Sequence, residues 1–508
     1  MKLNICAIAS EVVPFAKTGG LADVASALSR QLTARGHDVR LFMPLYAQIR
    51  RDKLDAARVE GLQGLPIVTG SHEYLVNIWR ACLPGSATPP GSSTNIYLVE
   101  SDGLYARPRL YTTDPDEHRR FLVLTRAALE CCRRMNFRPH LVHSHDWHAA
   151  LAPLWLRSIY KRDPVFAGTK SVMTIHNIGY QGVFGAADVA DLDLGTDAYL
   201  LHQDDLKAGT INALKQGILH ADCVTTVSPT YAREITTPLY GMGMEQALAA
   251  RGSAVRGILN GVDYEEWDPR RDRYLPIHFT PQEIVKKAEL KRNFLLRQNL
   301  RPIHGRVPLF GIVSRLTPQK GFDLLIEALP RILQNNDMRL AVVGSGDAKY
   351  EKFFAGLAER NRSRAMFFAG YDEALAHWIE GASDIFLMPS QYEPCGLNQM
   401  YSLRYGTIPI VRRTGGLADS VQHFDPATGT GTGIVFNDFD APAMNWALDT
   451  SLQWYADATV WERLVQNAMR QDFSWERQTN EYLKLFAELL QLDAAALIER
   501  NAPKKAAG

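Results

Sequence analysis

The chain has 508 residues, more than one hydrophobic core usually organises, so two domains are the starting expectation. Its 56 Lys and Arg against 55 Asp and Glu leave a formal net charge of +1, which excludes the basic footprint of a nucleic-acid-binding protein. Apolar residues make up 46% of the chain, yet no unbroken apolar run approaches the roughly 18 residues of a membrane span.

In chain order, Leu3 to Ala9 reads as a first strand, and Met1 to Ser10 has neither a basic leader region nor a small-residue cleavage site. A cytoplasmic protein without a membrane partner is therefore expected. Leu21, Val24, Ala25, Leu28 and Leu32 mark one helical face, Gly36 supplies its stop, and Val39 to Met43 is the next strand. This is a βαβ beginning. Further strands are expected at Leu141 to His143, Ser171 to Ile175 and Cys223 to Val227, so a first domain spans 1–261. From Val262 to Pro308 the Pro-containing breaks around one charged helix, Gln282 to Asn299, read as a connecting region. A second alternation starts at Leu309 to Val313 and continues through Leu340 to Val343, Ile385 to Met388 and Ile408 to Val411. The second domain, with its connecting region, thus covers 262–475. One last apolar-rich helix over 476–501 is expected to pack back on the first domain, followed by a disordered tail, 502–508.

The hexapeptide Thr-Gly-Gly-Leu-Ala-Asp occurs twice, at Thr18 to Asp23 and Thr414 to Asp419, preceded by Lys17 and Arg413. Each copy joins an apolar strand to an amphipathic segment. Glycines beside a helix N-terminus and a cation suit an anion, so two such loops point to two α/β domains facing one phosphorylated ligand. The segment Val313-Ser-Arg-Leu-Thr-Pro-Gln-Lys-Gly321 puts Arg315 and Lys320 on one loop between a strand and a helix, a pair suited to a diphosphate. Ligands of open α/β sheets collect beyond the carboxyl ends of the strands, where this loop, Gly344-Ser-Gly346, the Glu393 loop and Arg413 should converge.

Around Glu393, Pro394 is expected in the first turn of a helix, leaving the N–H groups of Cys395, Gly396 and Leu397 for an anion or a sugar hydroxyl. Cys395 has no adjacent His to activate it, so a backbone role is favoured over covalent catalysis. In the first domain, His143, His145, Asp146 and His148 cluster at a strand end, and His176 follows another. No Cys or Glu stands at a metal-ligand spacing nearby, which favours hydroxyl recognition or core packing over a metal. The six cysteines show no CxxC spacing and read as buried free thiols.

Taken together and in order, Lys17-Thr-Gly-Gly-Leu-Ala-Asp23, His143-Ser-His-Asp-Trp-His148, Asn260-Gly-Val-Asp263, Ser314-Arg-Leu, Lys320-Gly321, Glu393-Pro-Cys-Gly-Leu397 and Arg413-Thr-Gly-Gly-Leu417 resemble bacterial glycogen synthase and plastid starch synthase, glycosyltransferase family 5. The resemblance runs from Lys2 to about Leu490. It implies a GT-B fold, two Rossmann-like domains across a deep cleft, with the acceptor on the N-terminal side. The implied reaction is retaining transfer of glucose from ADP-glucose to the nonreducing end of an α-1,4-glucan such as glycogen. No metal and no cofactor are implied. Carried over, the resemblance gives Lys17, Gly19, Gly20, Arg315 and Lys320 to the diphosphate, with Asp23 beside that loop, and Tyr371 to the adenine. Asp146, His176, Asn260 and Glu393 are given to glucose, and the N–H groups at Cys395, Gly396 and Leu397 to sugar and phosphate. Related glycosyltransferases carry Glu-x7-Glu; here the second position is Tyr401, as is usual in this family. Gln391 departs from the Arg or Leu of many members.

Two rival classes fit the sequence less well. A nicotinamide dehydrogenase also has Rossmann domains, but Gly429, Gly431 and Gly433 lack the Gly-x-Gly-x-x-Gly spacing and a following helix start. A catalytically dead glucan-binding protein would have lost Arg315, Lys320 or Glu393, and all three are present.

Overall fold

The computed structural model describes residues 1–50, 54–84 and 93–499. The expected tail, 502–508, lies outside them. The chain divides into two units, one built from Met1–Val227, Ala232–Ile258 and the segment from Trp475 onward, the other from Ser228–Tyr231 and Leu259–Ser474.

The first unit contains strands β1 (Asn4–Ile8), β2 (Asp38–Pro44), β3 (Ala56–Arg58), β4 (Leu65–Thr69), β5 (His72–Cys82), β6 (Asn95–Glu100), β7 (Leu141–His145), β8 (Lys170–Ile175), β9 (Val183–Gly185), β10 (Thr210–Asn212), β11 (Cys223–Thr226) and β12 (Val255–Gly257). Its main sheet has the order β12-β11-β8-β7-β1-β2-β6-β5-β3, with β4 on β5, while β9 and β10 form a separate pair. From β12 to β6 every pairing is parallel, and β3, β4 and β5 add an antiparallel edge that the hydrophobic pattern did not announce. The parallel strands are buried on both faces, which is why Asn4–Ile8 and Leu141–His145 read as short apolar runs instead of alternating.

One face of this sheet is covered by the helix Gly20–Ala34 and by a C-terminal helix, Trp475–Leu490. Leu3, Val24, Leu28 and Val39 meet Trp475, Tyr482 and Phe486 in one core cluster. The single final helix expected over 476–501 is instead two, Trp475–Leu490 and Ala494–Glu499, parted at Gln491 with φ 56°. The Asp493 carboxylate accepts from Ala495 N–H at 3.0 Å, an N-terminal cap that restarts the helix.

In the second unit, β13 (Leu309–Val313), β14 (Arg339–Gly344), β15 (Ala365–Ala369), β16 (Ile385–Met388), β17 (Ile408–Arg412) and β18 (Ile434–Phe436) form one parallel sheet in the order β15-β14-β13-β16-β17-β18. β13 lies between β14 and β16, so the strand order reverses there, the place where open α/β sheets bind ligands. The helix Phe322–Asn335 runs on through Pro330, its apolar stripe of Leu325, Leu329 and Ile332 buried on the sheet. Among the described residues no helix is long and apolar enough to cross a membrane.

Candidate functional site

At the carboxyl edge of the second sheet lies a pocket of about 160 Å³, lined by Arg315 and Lys320 after β13, by Met388 and Ser390 after β16, and by Gly396 to Asn398. Arg315 is exposed at its rim. Lys320 ends a short 3-10 turn, and Gly321 behind it has φ 72°. A Cβ on Gly321 would lie 1.9 Å from the Pro389 carbonyl oxygen, so only glycine lets the Lys320 loop close against the β16 loop. Lys320 Nζ donates to Glu393 Oε2 at 2.6 Å, and Ser390 Oγ donates to the same oxygen at 3.0 Å. With the Glu393 side chain only 7% exposed, this ion pair holds the carboxylate in one place.

The Glu393 loop is not the start of a helix. The helix begins at Asn398, and Gly396 takes φ 71°, a left-handed step that Pro394 to Leu397 could not make as a regular helical turn. The carbonyls of this loop are already in use. Gly416 N–H is shared between the Glu393 and Pro394 oxygens at 3.1 and 3.2 Å, and Gln399 Nε2 donates to Cys395 and Gly396 at 3.0 and 3.1 Å. The second Thr-Gly-Gly copy thus holds the loop from behind: a Cβ on Gly415 would meet the Glu393 oxygen at 1.9 Å, and one on Gly416 the Cys395 oxygen at 2.2 Å. Its glycines serve backbone packing, not an open anion cradle, which corrects the symmetrical reading of the two copies. Cys395 is buried, and burial pushes its thiol up to about 12 although the Asn260 N–H bonds the sulfur. A thiol raised by burial favours the protonated form at neutral pH, which agrees with a backbone role for this loop over nucleophilic attack by the sulfur.

The remaining expected residues of this unit sit apart from that pocket's lining. Tyr371 follows β15 at the same sheet edge and is 67% exposed; Asn260 is buried beside Cys395. Gly344 and Gly346, whose Cβ atoms would meet the Ser314 and Leu316 oxygens at 2.2 and 2.3 Å, serve close packing of the β13 and β14 loops. Arg413 donates to Asn437 Oδ1 at 2.8 Å.

In the first unit, β7 and β8 bring the histidines together. His143 Nε2 lies 2.6 Å from Thr174 Oγ1, and His145 Nδ1 lies 2.9 Å from His176 Nε2. Burial holds His143 and His176 down at about 3, and His145 and His148 are lowered by the same cause, so all four rings are neutral at physiological pH. Asp146 occupies a left-handed conformation, φ 51°, and accepts from His176 N–H at 2.7 Å and Asn177 N–H at 3.4 Å. Burial raises its carboxyl to about 7 against those bonds. A left-handed backbone at Asp146, a buried carboxyl raised by burial and a His176 Nδ1 with no partner among the described residues make this a candidate functional cluster.

The first Thr-Gly-Gly copy differs from the second. A Cβ on Gly19 would meet nothing within 4 Å, Gly20 is exposed, and Lys17 Nζ reaches Asp23 Oδ1 at 2.8 Å. Glu11, which the sequence reading passed over, supplies the anion at this helix start. Its carboxylate accepts from Thr18 N–H, from Thr18 Oγ1 at 2.6 Å, from Gly19 N–H at 3.3 Å and from the Tyr111 hydroxyl at 2.5 Å. A lone Glu in a loop after β1 carries no motif; its one visible signal was an acidic residue a few positions before a glycine-led helix.

A largely parallel α/β sheet in each unit and a cation-lined pocket at a strand-order reversal match the architecture of a GT-B glycosyltransferase, the class that the comparisons with known proteins show. A family model described as the starch synthase catalytic domain matches residues 4–250, and one described as glycosyl transferases group 1 matches residues 297–469. Glycogen synthase 1 of Geobacter sulfurreducens is 41% identical over 96% of this chain and 97% of its own length; glycogen synthase of Koribacter versatilis is 40% identical over 97% and 99%. The catalytic domain of starch synthase IV from Arabidopsis thaliana, solved bound to ADP and acarbose, superposes with a TM-score of 0.87 at 32% identity, covering 97% of this chain and all of that one. Sucrose-phosphate synthase from Thermosynechococcus elongatus shares the fold at TM-score 0.61 and 18% identity, covering 96% of this chain. The chain belongs to the glycogen and starch synthase family, and it is a glucosyltransferase that elongates α-glucan.

Proposed function

We propose that this enzyme transfers glucose from ADP-glucose to the nonreducing end of an α-1,4-glucan with retention of configuration, in the cytoplasm and without a catalytic metal. The observation that carries the proposal is the pocket lined by Arg315 and Lys320 at the carboxyl edge of the second sheet, with Glu393 ion-paired to Lys320. A departing diphosphate gains negative charge as the glycosidic bond breaks, and fixed cations stabilise it most in a partly desolvated site. Arg315 and Lys320 take that role. Glu393, held by Lys320 and Ser390, is placed for a glucose hydroxyl, with the N–H groups of Cys395, Gly396 and Leu397 beside it. Tyr371, exposed at the end of β15, offers its ring to the adenine.

Residues 262–475 form the nucleotide-sugar side in this reading and 1–261 the acceptor side. Asp146, His176 and Asn260 bind glucose hydroxyls, which neutral imidazole and a buried carboxyl do without a net charge clash. Lys17, Gly19 and Gly20 bind phosphate, with Asp23 orienting the lysine. Glu11 already takes the Thr18 and Gly19 N–H groups just ahead of that helix, so the remaining attraction there comes from Lys17, the open side of Gly19 and exposed Gly20.

The test is transfer of labelled glucose to glycogen from ADP-glucose and UDP-glucose side by side. Incorporation from ADP-glucose at a clearly higher kcat/KM, unchanged by EDTA, is expected. No incorporation from either donor, or a strict requirement for Mg²⁺ or Mn²⁺, would sink the proposal.

A further inference from the structure

His377 lies in the helix Glu373–Ala382 and is fully buried. Its Nδ1 is 2.7 Å from Asp272 Oδ2, and that oxygen also accepts from the Tyr405 hydroxyl at 2.5 Å. The Asp272 carboxylate occupies Nδ1, so Nε2 is the ring nitrogen left for a second partner. Nε2 is buried and has no hydrogen-bond partner among the described residues. A buried ring nitrogen without a partner requires an explanation.

One ring nitrogen of His377 and one carboxylate oxygen each from Glu266 and Glu373 lie within 4.8 Å of one another. Nδ1 is committed to Asp272, so Nε2 is the ring nitrogen left to serve a ligand there. Glu373 stands four residues before His377, on the same helical face, and Glu266 comes from the turn that Trp267 N–H closes on the Asp263 oxygen at 2.9 Å. Trp267 fixes the imidazole plane by stacking on it at 3.7 Å and 12°. A carboxylate behind the histidine, an unpartnered ring nitrogen in front and two convergent carboxylates together make the donor set of a zinc-class cation. We infer that His377 Nε2, Glu266 and Glu373 bind one divalent cation of this class.

Arg273 is the cation that faces the pair: exposed, it interacts with both Glu266 and Glu373 and donates to the Tyr274 hydroxyl at 2.9 Å. Its flexible side chain can yield to Zn²⁺. The cation is structural. It ties the Asp263 to Trp267 turn to the Glu373 helix, and Trp267 stacks in turn on Tyr401 at 4.0 Å and 2°, in the helix that follows the Glu393 loop. The second cluster of ligating side chains, His118 with Asp188 and Asp191, has its acids paired to Arg119 at 3.2 and 2.6 Å and carries no such inference.

The test uses the full chain, stripped by chelation and dialysed against Zn²⁺ alone, with uptake measured by elemental analysis and Tm by scanning calorimetry. Replacing buried His377 risks unfolding, so the variant is Glu266→Gln with Glu373→Gln, both partly exposed. Wild type should take up one Zn²⁺ per chain and gain Tm. The double variant should bind at least about tenfold more weakly and gain none. Co²⁺ in place of Zn²⁺ should show visible bands without thiolate charge transfer. Equal uptake by both proteins, thiolate bands, or no uptake at micromolar Zn²⁺ would each overturn the site, and loss of glucosyl transfer on stripping with Tm unchanged would overturn its structural role.

Discussion

Lys320→Ala removes the ammonium that pairs with Glu393 and lines the pocket proposed for the diphosphate. A unit charge about 4 Å from a phosphoryl oxygen is worth roughly 4 kcal/mol at an effective dielectric near 20. The lysine side chain is 18% exposed, so solvent screens part of this, and about 3 kcal/mol is a fair figure for the transition state. At 1.36 kcal/mol per decade, kcat/KM should fall roughly 150-fold. The loss should appear mainly in kcat, because the charge that Lys320 meets grows as ADP departs. Labelled transfer to glycogen over a range of ADP-glucose concentrations separates kcat from KM, and calorimetry checks folding. Lys320→Arg should recover part of the activity. A folded Lys320→Ala enzyme within about threefold of wild type would refute the assignment and the electrostatic reasoning behind it.

The two copies of the hexapeptide supply a paired test: Gly415→Ala, with its Cβ 1.9 Å from the Glu393 oxygen at φ 42°, should lower Tm and activity together, whereas Gly19→Ala, in open space with extended backbone, should leave Tm unchanged. For Asp146 the folded-state pKa is raised to about 7, so its burial cost is absent below about pH 4, grows between pH 4 and 7 and is complete above. Asp146→Asn, which keeps the left-handed backbone acceptable, should therefore raise Tm at pH 8 more than at pH 4 while impairing transfer; an equal shift at both would show that the carboxyl is not buried as an acid. Cys395, held near 12, should react with iodoacetamide at neutral pH far more slowly than exposed Cys82, and Cys395→Ala should keep substantial turnover. Rapid labelling of Cys395, followed by mass spectrometry, would contradict its burial.

The Rossmann strands were legible because a parallel strand buried on both faces leaves a continuous apolar run, as in Leu309–Val313 and Ile385–Met388. The antiparallel edge was not, since β4 alternates buried and exposed residues over only Leu65–Thr69 and its partner lies across a tight turn. Motif chemistry located the Lys320 and Glu393 loops, but identical hexapeptides could not say that one would stay open and the other be packed shut. That difference is set by what approaches each glycine from elsewhere in the chain, Glu11 in one case and the Glu393 to Cys395 backbone in the other. The same tertiary claim on the carbonyls delayed the helix from Pro394 to Asn398. The break at Gln491 was readable in part, because Asp493 two residues before Ala495 is a helix-start signal.

The closing helix Trp475–Leu490 carries a consequence for biosynthesis. The first unit's other segments end at Ile258, and the second unit's Leu259–Ser474 must be translated before Trp475, Tyr482 and Phe486 exist to cover Leu3, Val24 and Leu28. At 5–20 residues per second, the nascent first unit would carry an uncovered greasy seam for roughly 10–40 s, long enough for a chaperone to engage it. Chains released early by a premature stop would keep that seam permanently, and quality control would meet them as aggregation-prone half-enzymes, not as idle stable fragments.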